Sequence, residues 1–263
     1  MNTRTRLVRT LSAAVVSAGL MSPAACTPPG TRATPPRFDQ AVRTADRSTE
    51  PPRSMATTAD SDEPVDLSAY MTEVLFNIDA YWAEVYATVG RPENEVLYSW
   101  PAPGESVPTK CRGGATNDAS MMYCPTDDTI YISQEAAADN WAGAYGAPGT
   151  TTDYPSGDFS LAVSIAHEYA HSLQEDLGLL TDGPVKPTEL HADCWSGVWA
   201  NSVYYQGLLE PGDFEEALAS TELAGEYSTD PTKHHGTPEE RLEAFMTGYN
   251  SGVPISCDKY LAG

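Results

Sequence analysis

His167-Glu168-Tyr169-Ala170-His171 sets two imidazoles four residues apart with a carboxylate beside the first. On a helix this spacing brings both rings to one face, one turn apart, where their nitrogens can share a Zn²⁺ ion. A zinc hydrolase needs a third protein ligand and one open position for water. Glu189, His191 and Asp193 follow a short link downstream. Glu189 is the best third ligand, because a carboxylate near the start of a second, antiparallel helix can point into the same cleft. Asp193 lies one turn later on the same stripe and suits accepting the free N–H of a ligand imidazole. His191 falls roughly opposite Glu189 on the helical wheel, which argues against it. Glu168 would take a proton from the metal-activated water and pass it to the leaving amine. The chemistry expected of such a set is peptide-bond hydrolysis, with one Zn²⁺ ion as cofactor and a peptide or protein as substrate.

These groups require elements to hold them. Apolar residues recur in helical phase from Leu67 to Val89, with Asp66 as N-cap and Gly90 and Pro92 as the stop. Residues 91–127 carry several prolines and glycines and suggest loops with at most a short strand. Thr129-Ile130-Tyr131-Ile132-Ser133 has β-branched and aromatic composition and is expected to be a strand, on whose edge an extended substrate could lie. Asp158 is expected to cap a helix reaching about Leu180. Leu161, Ile165, Tyr169 and Leu173 occupy its core side, with His167 and His171 opposite. A second helix is expected from about Thr188 to about Gln206, after the turn-rich Thr181-Asp182-Gly183-Pro184. Thr237-Pro238-Glu239-Glu240 has capping-box spacing and Pro at the first helical position, and that helix should end near Gly248. The fold class is α+β, predominantly helical, with a small β-sheet, over residues 64–263.

The chain is strongly acidic, with net charge -22. Eight of its 15 Lys and Arg precede Ser54, so the folded part is more acidic still. Such a field repels phosphate backbones and anionic lipid surfaces, which excludes nucleic acid as a partner. Arg4, Arg6 and Arg9 followed by the short apolar run Leu11 to Met21 form a signal peptide over residues 1–26. Its end, Ser22-Pro23-Ala24-Ala25-Cys26, resembles a lipobox, although Pro23 stands where such boxes usually carry Leu. The expectation is an extracytoplasmic protein, either a cell-surface lipoprotein lipidated at Cys26 or a secreted one. Membrane contact would be made only through that lipid anchor. Residues 27–63 are rich in Pro, Thr and Ser and should form a disordered tether.

Cys111, Cys124, Cys194 and Cys257 leave an even number of thiols in an exported chain, so two disulfides are expected. The turn-rich segment between Cys111 and Cys124 favours a local bridge, leaving Cys194 and Cys257 to join the C-terminal tail to a core helix. No CxxC spacing marks them as a zinc site.

The segments His167 to Gln174, Glu189-Leu190-His191-Ala192-Asp193-Cys194, Gly197-Val198-Trp199-Ala200 and His235-Gly236-Thr237, with Arg241 and Gly248, resemble the bacterial neutral zinc metallopeptidase family. The likeness covers roughly residues 66–250. It implies a zincin-like domain whose third zinc ligand is a glutamate. Related zinc peptidases use a late His, Tyr or Arg to hydrogen-bond the oxyanion, which makes His235 a second catalytic candidate. The rival reading is a catalytically inactive homologue that keeps the metal site for a structural or interaction role.

Overall fold

The computed structural model describes residues 5–6, 65–111, 113–144, 155–181 and 183–262. Cys26 and the tether lie outside them, as does the signal segment apart from Thr5–Arg6. The architecture is predominantly helical α+β. In chain order the elements are β1 (Thr5–Arg6), α1 (Leu67–Thr88), β2 (Leu97–Ser99), β3 (Met121–Cys124), β4 (Thr129–Ile132), α2 (Gln134–Trp141), α3 (Asp158–Asp176), α4 (Lys186–Gln206), α5 (Asp213–Leu223) and α6 (Pro238–Ser251). A 3₁₀ segment, Pro254–Tyr260, closes the described chain.

The sheet runs β1-β2-β4-β3, with β2 parallel to β4 and β3 antiparallel to it, so β3 is an edge. Residues 91–127 therefore hold two strands where the prolines and glycines suggested at most one. Ser133 is not a strand residue. It caps α2, its side chain accepting from the Ala136 N–H at 3.1 Å.

Helix α1 begins on Asp66, whose carboxylate accepts from the Ala69 N–H at 3.0 Å. It buries Met71, Val74, Leu75, Ile78 and Trp82. Helix α3 faces it with Leu161, Ile165, Tyr169 and Leu173, all fully buried, each contributing about 1.5–3 kcal/mol. The Tyr169 hydroxyl donates to buried Asp79 of α1 at 2.9 Å, fixing the rotation of α3 about its axis.

Asp158 does not cap α3. Gly157 is the N-cap, and Asp158 stands in the first turn, its carboxyl pushed up to about 7 by burial and by neighbouring Asp213 and Glu216. The helix stops at Asp176 rather than Leu180 because Gly178 adopts a left-handed conformation (φ 67°), with the Leu179 N–H donating to the Gln174 carbonyl. Helix α4 begins two residues before Thr188, since Pro187 is tolerated in a first turn whose N–H groups lack helical partners.

The capping box at Thr237 and Glu240 is formed. Helix α6 continues past Gly248 to Ser251, because Gly248 is packing surface rather than a stop: a Cβ there would collide with the Cys194 carbonyl of α4. Likewise a Cβ on Gly197 would strike the Phe245 carbonyl of α6. Two glycines thus bring α4 and α6 into backbone contact. The Cys194–Cys257 disulfide, closing a separation of 63 residues, ties α4 to the tail beyond α6. Cys111–Cys124 is the local bridge, spanning 13 residues.

Candidate metal centre

The core face of α3 fixes where its other face points. His167 and His171 project into a cleft of about 710 Å³, whose walls come from β3, α3, the start of α4, α5 and the loop before α6. Their Nε2 atoms lie 3.1 Å apart. Glu189, in the first turn of α4, brings Oε2 to 3.2 Å from His167 Nε2 and Oε1 to 3.5 Å from His171 Nε2. Three ligand-bearing groups expected from the sequence therefore converge on one point.

The ring tautomers follow from the outer bonds. Asp193 Oδ1, a carboxylate oxygen that can only accept, sits 2.9 Å from His167 Nδ1, so the proton is on Nδ1. Gln174 performs the same task for His171. Its amide nitrogen donates to the Thr188 carbonyl at 2.8 Å, which turns Oε1 toward His171 Nδ1 at 2.8 Å. Both Nε2 atoms are left with lone pairs, aimed at each other and at a carboxylate. Three acceptors in such contact need a cation between them. Tetrahedral Zn²⁺ with bonds of about 2.0–2.1 Å has ligand–ligand edges of about 3.3 Å, close to the 3.1–3.5 Å found here. The donor set fits zinc in both geometry and chemistry.

The titration behaviour agrees. Burial pulls His167 down, but Asp193 and Glu189 overcome it and push the ring up to about 10. His171 is raised against burial by Glu189. Burial raises Glu189, yet the two histidines hold it well below the usual carboxylate range. The cluster favours positive charge at its centre.

Arg241 is the functional neighbour whose role sequence reasoning missed. It is buried on the first turn of α6 and grips Asp193 with two bonds, Nε to Oδ2 and Nη2 to Oδ1, both 2.8 Å. A third bond from Nη1 reaches the Ala224 carbonyl at 2.9 Å. Burial would raise Asp193, but Arg241 and His167 together keep it ionised. A charged chain, Arg241–Asp193–His167, thus supports one ligand, while a neutral amide supports the other. The signal for it was the spacing of Arg241 behind a capping box, which turns an Arg inward one turn into the helix.

His191 is fully buried, 4.0 Å from the Trp195 ring, and its Nδ1 meets the Gln174 amide nitrogen at 3.0 Å. Burial pushes it down to about 3, so it stays neutral and steadies Gln174 from behind. Glu168 points into the cleft and accepts from the Tyr123 N–H of edge strand β3 at 2.6 Å. His235 reaches the rim of the cleft with its side chain 46% exposed, its backbone N–H donating to Glu226 at 2.7 Å. A second group with ligand-like spacing, Asp158, Asp213 and Glu216, is made of carboxylates alone.

The model of a family described as "Putative neutral zinc metallopeptidase" matches residues 39–260. The chain belongs to this family. Among its relatives, the uncharacterized protein YpfJ of Escherichia coli K12 is 32% identical over 171 residues, 56% of this chain and 56% of that protein. The uncharacterized protein Rv2575 of Mycobacterium tuberculosis H37Rv is 29% identical over 214 residues, 71% of this chain and 68% of that one. The chain thus spans little more than half the length of YpfJ. No solved structure matches. The family description points to a zinc metallopeptidase. The two disulfides suit a protein working outside the cytoplasm. Among the described residues no helix is long and apolar enough to cross a membrane.

Proposed function

We propose that this chain is an exported peptidase that uses one Zn²⁺ ion, held by His167, His171 and Glu189, to hydrolyse peptide bonds. The observation that carries the reading is the placement of Glu168. It enters the cleft beside the three converging ligands and meets the edge of a strand, 2.6 Å from the Tyr123 N–H. Zinc, when bound, supplies Lewis acidity to the attacking water and the scissile carbonyl.

The chain's own residues do the rest. Glu168 takes the proton from the attacking water and delivers it to the leaving amine. Alternation along β3 turns the outward backbone groups of Met121 and the Tyr123 carbonyl toward the cleft, the Tyr123 N–H being taken by Glu168, so an extended peptide can pair there as an added strand. Asp193 holds the His167 ring and Gln174 holds that of His171. His235, at the rim, is the donor we assign to the developing oxyanion. Residues 1–26 would serve export, Cys26 lipid anchoring, and residues 27–63 would tether the catalytic domain.

The test compares casein and peptide cleavage by the native chain and by Glu168→Gln, each with zinc content measured. Loss of the general base should cost about 10²–10⁴ in turnover with zinc retained. In the same assay His235→Ala should lower turnover and keep zinc. Equal behaviour of native and Glu168→Gln proteins would favour the rival, a homologue that keeps the metal site without proteolysis.

A further inference from the structure

The charges in the cleft do not cancel at one place. Asp193 is matched by Arg241, Glu189 belongs to the metal site, and Glu168 is the base. Glu175 lines the same cleft, one turn beyond His171, and is exposed. Among the described residues it makes no ion pair. Its helical neighbour Asp176 takes Arg91 at 2.8 Å, and the last turn of α3 holds no basic residue. A carboxylate there faces the negative end of the helix dipole, an unfavourable position for an anion and a favourable one for a bound cation.

Among the described residues no internal cation is left over to occupy it. Each of the six Lys and Arg with described side chains is already within 4.0 Å of a carboxylate, from Arg91 with Asp176 to Lys259 with Glu243 at 3.8 Å. The cleft wall near Glu175 also carries apolar surface. Tyr123, whose phenol donates to Asp128 at 2.9 Å, and Leu180, after the turn that ends α3, line the cleft with Glu175. An apolar wall leading to an unpaired carboxylate matches an aliphatic stem ending in a charged head.

We propose that Glu175, with Tyr123 and Leu180 as walls, forms a subsite that selects a Lys or Arg side chain of the bound peptide. This rests on the peptidase reading for its ligand class, but binding can be measured without turnover. The probe is a dye-labelled octapeptide of Ala and Thr carrying one Lys, norleucine or Glu, moved through each position. It is titrated into the zinc-loaded Glu168→Gln chain and followed by anisotropy. At one position Lys should bind about three- to tenfold tighter than norleucine at low salt, with the advantage shrinking as salt screens the pair. Glu175→Gln added to this background should abolish the advantage, and Glu175→Lys should transfer it to the Glu peptide. A Lys advantage at no position, or one that survives Glu175→Gln, overturns the subsite. Cleavage of the same peptides by the native chain reports separately: absence of cleavage with the Lys advantage intact rejects the peptidase reading and leaves the subsite standing.

Discussion

Replacing Asp193 by Asn keeps the shape of the side chain and removes what the metal site uses. The native carboxylate accepts three bonds, from His167 Nδ1 at 2.9 Å and from Arg241 Nη2 and Nε at 2.8 Å. Asn has one oxygen, so its NH₂ must face either the Arg241 fork or the His167 N–H, donor against donor. The buried guanidinium also loses its counter-charge. Breaking one side of a buried pair costs about 3–5 kcal/mol. Loss of an outer partner to a metal-binding histidine lowers metal affinity by about 10–100-fold, or about 1.4–2.7 kcal/mol. The two effects are separable. Exchanging both members, Asp193→Leu with Arg241→Met, removes the orphaned charge and should recover most of the stability, while leaving zinc affinity low because His167 Nδ1 has no acceptor. Urea unfolding of the zinc-free protein with disulfides intact gives the first quantity, and chelator competition gives the second. Asp193 is depressed in the folded state, so its stabilisation is whole above the unfolded carboxylate value near 4 and is lost as pH falls through the lower folded one. Measurement at neutral pH therefore samples all of it. An Asn variant binding zinc within about threefold of the parent, or a double variant restored in both stability and affinity, would refute the reasoning.

Two further outcomes follow from the same geometry. With His167 pushed up to about 10, the metal-free cluster holds a proton at neutral pH that zinc must displace. Titration calorimetry in buffers of different ionisation enthalpy should therefore find at least about one proton released per zinc, with affinity rising about tenfold per pH unit for each proton until the ring would lose it unaided; zero release would show that Asp193 and Glu189 do not keep the metal-free His167 ring protonated. Gly248→Ala places a methyl against the Cys194 carbonyl, so α4 and α6 must part at a cost of at least about 1–3 kcal/mol. Because that movement draws Arg241 from Asp193, chelator competition should show weaker zinc binding, and unchanged affinity would break the proposed link between the two helices.

The site was more legible than the scaffold. His167, His171 and Glu189 could be placed because one helical period and one antiparallel return decide their faces. Helix α5 was not anticipated, since Ala217, Ala219, Ser220 and Thr221 bury against neighbours without the large apolar residues that make a period visible. Helix α2 is only eight residues long and buries just Ala137 and Asn140, too few positions to show a period. The ends of α3 and α6 were misjudged through glycine. Gly178 is a stop because φ is positive there, whereas Gly248 is helical and serves close approach. Sequence alone gives both the same letter. Gln174 and Arg241 carried the family likeness, but their roles escaped notice because they depend on groups 14 and 48 residues away.

The Arg241–Asp193 contact also sets an order of events in the life of the chain. All three proposed zinc ligands have been synthesised once residue 189 has left the ribosome, but the guanidinium that steadies His167 comes later, and Cys257, which fastens α4 to the tail, comes later still. A nascent or truncated chain ending near residue 230 would own every ligand and lack the fastening. Completion of the proposed metal centre thereby waits on segments made after its ligands, and a chain lacking them would carry the ligands without their support.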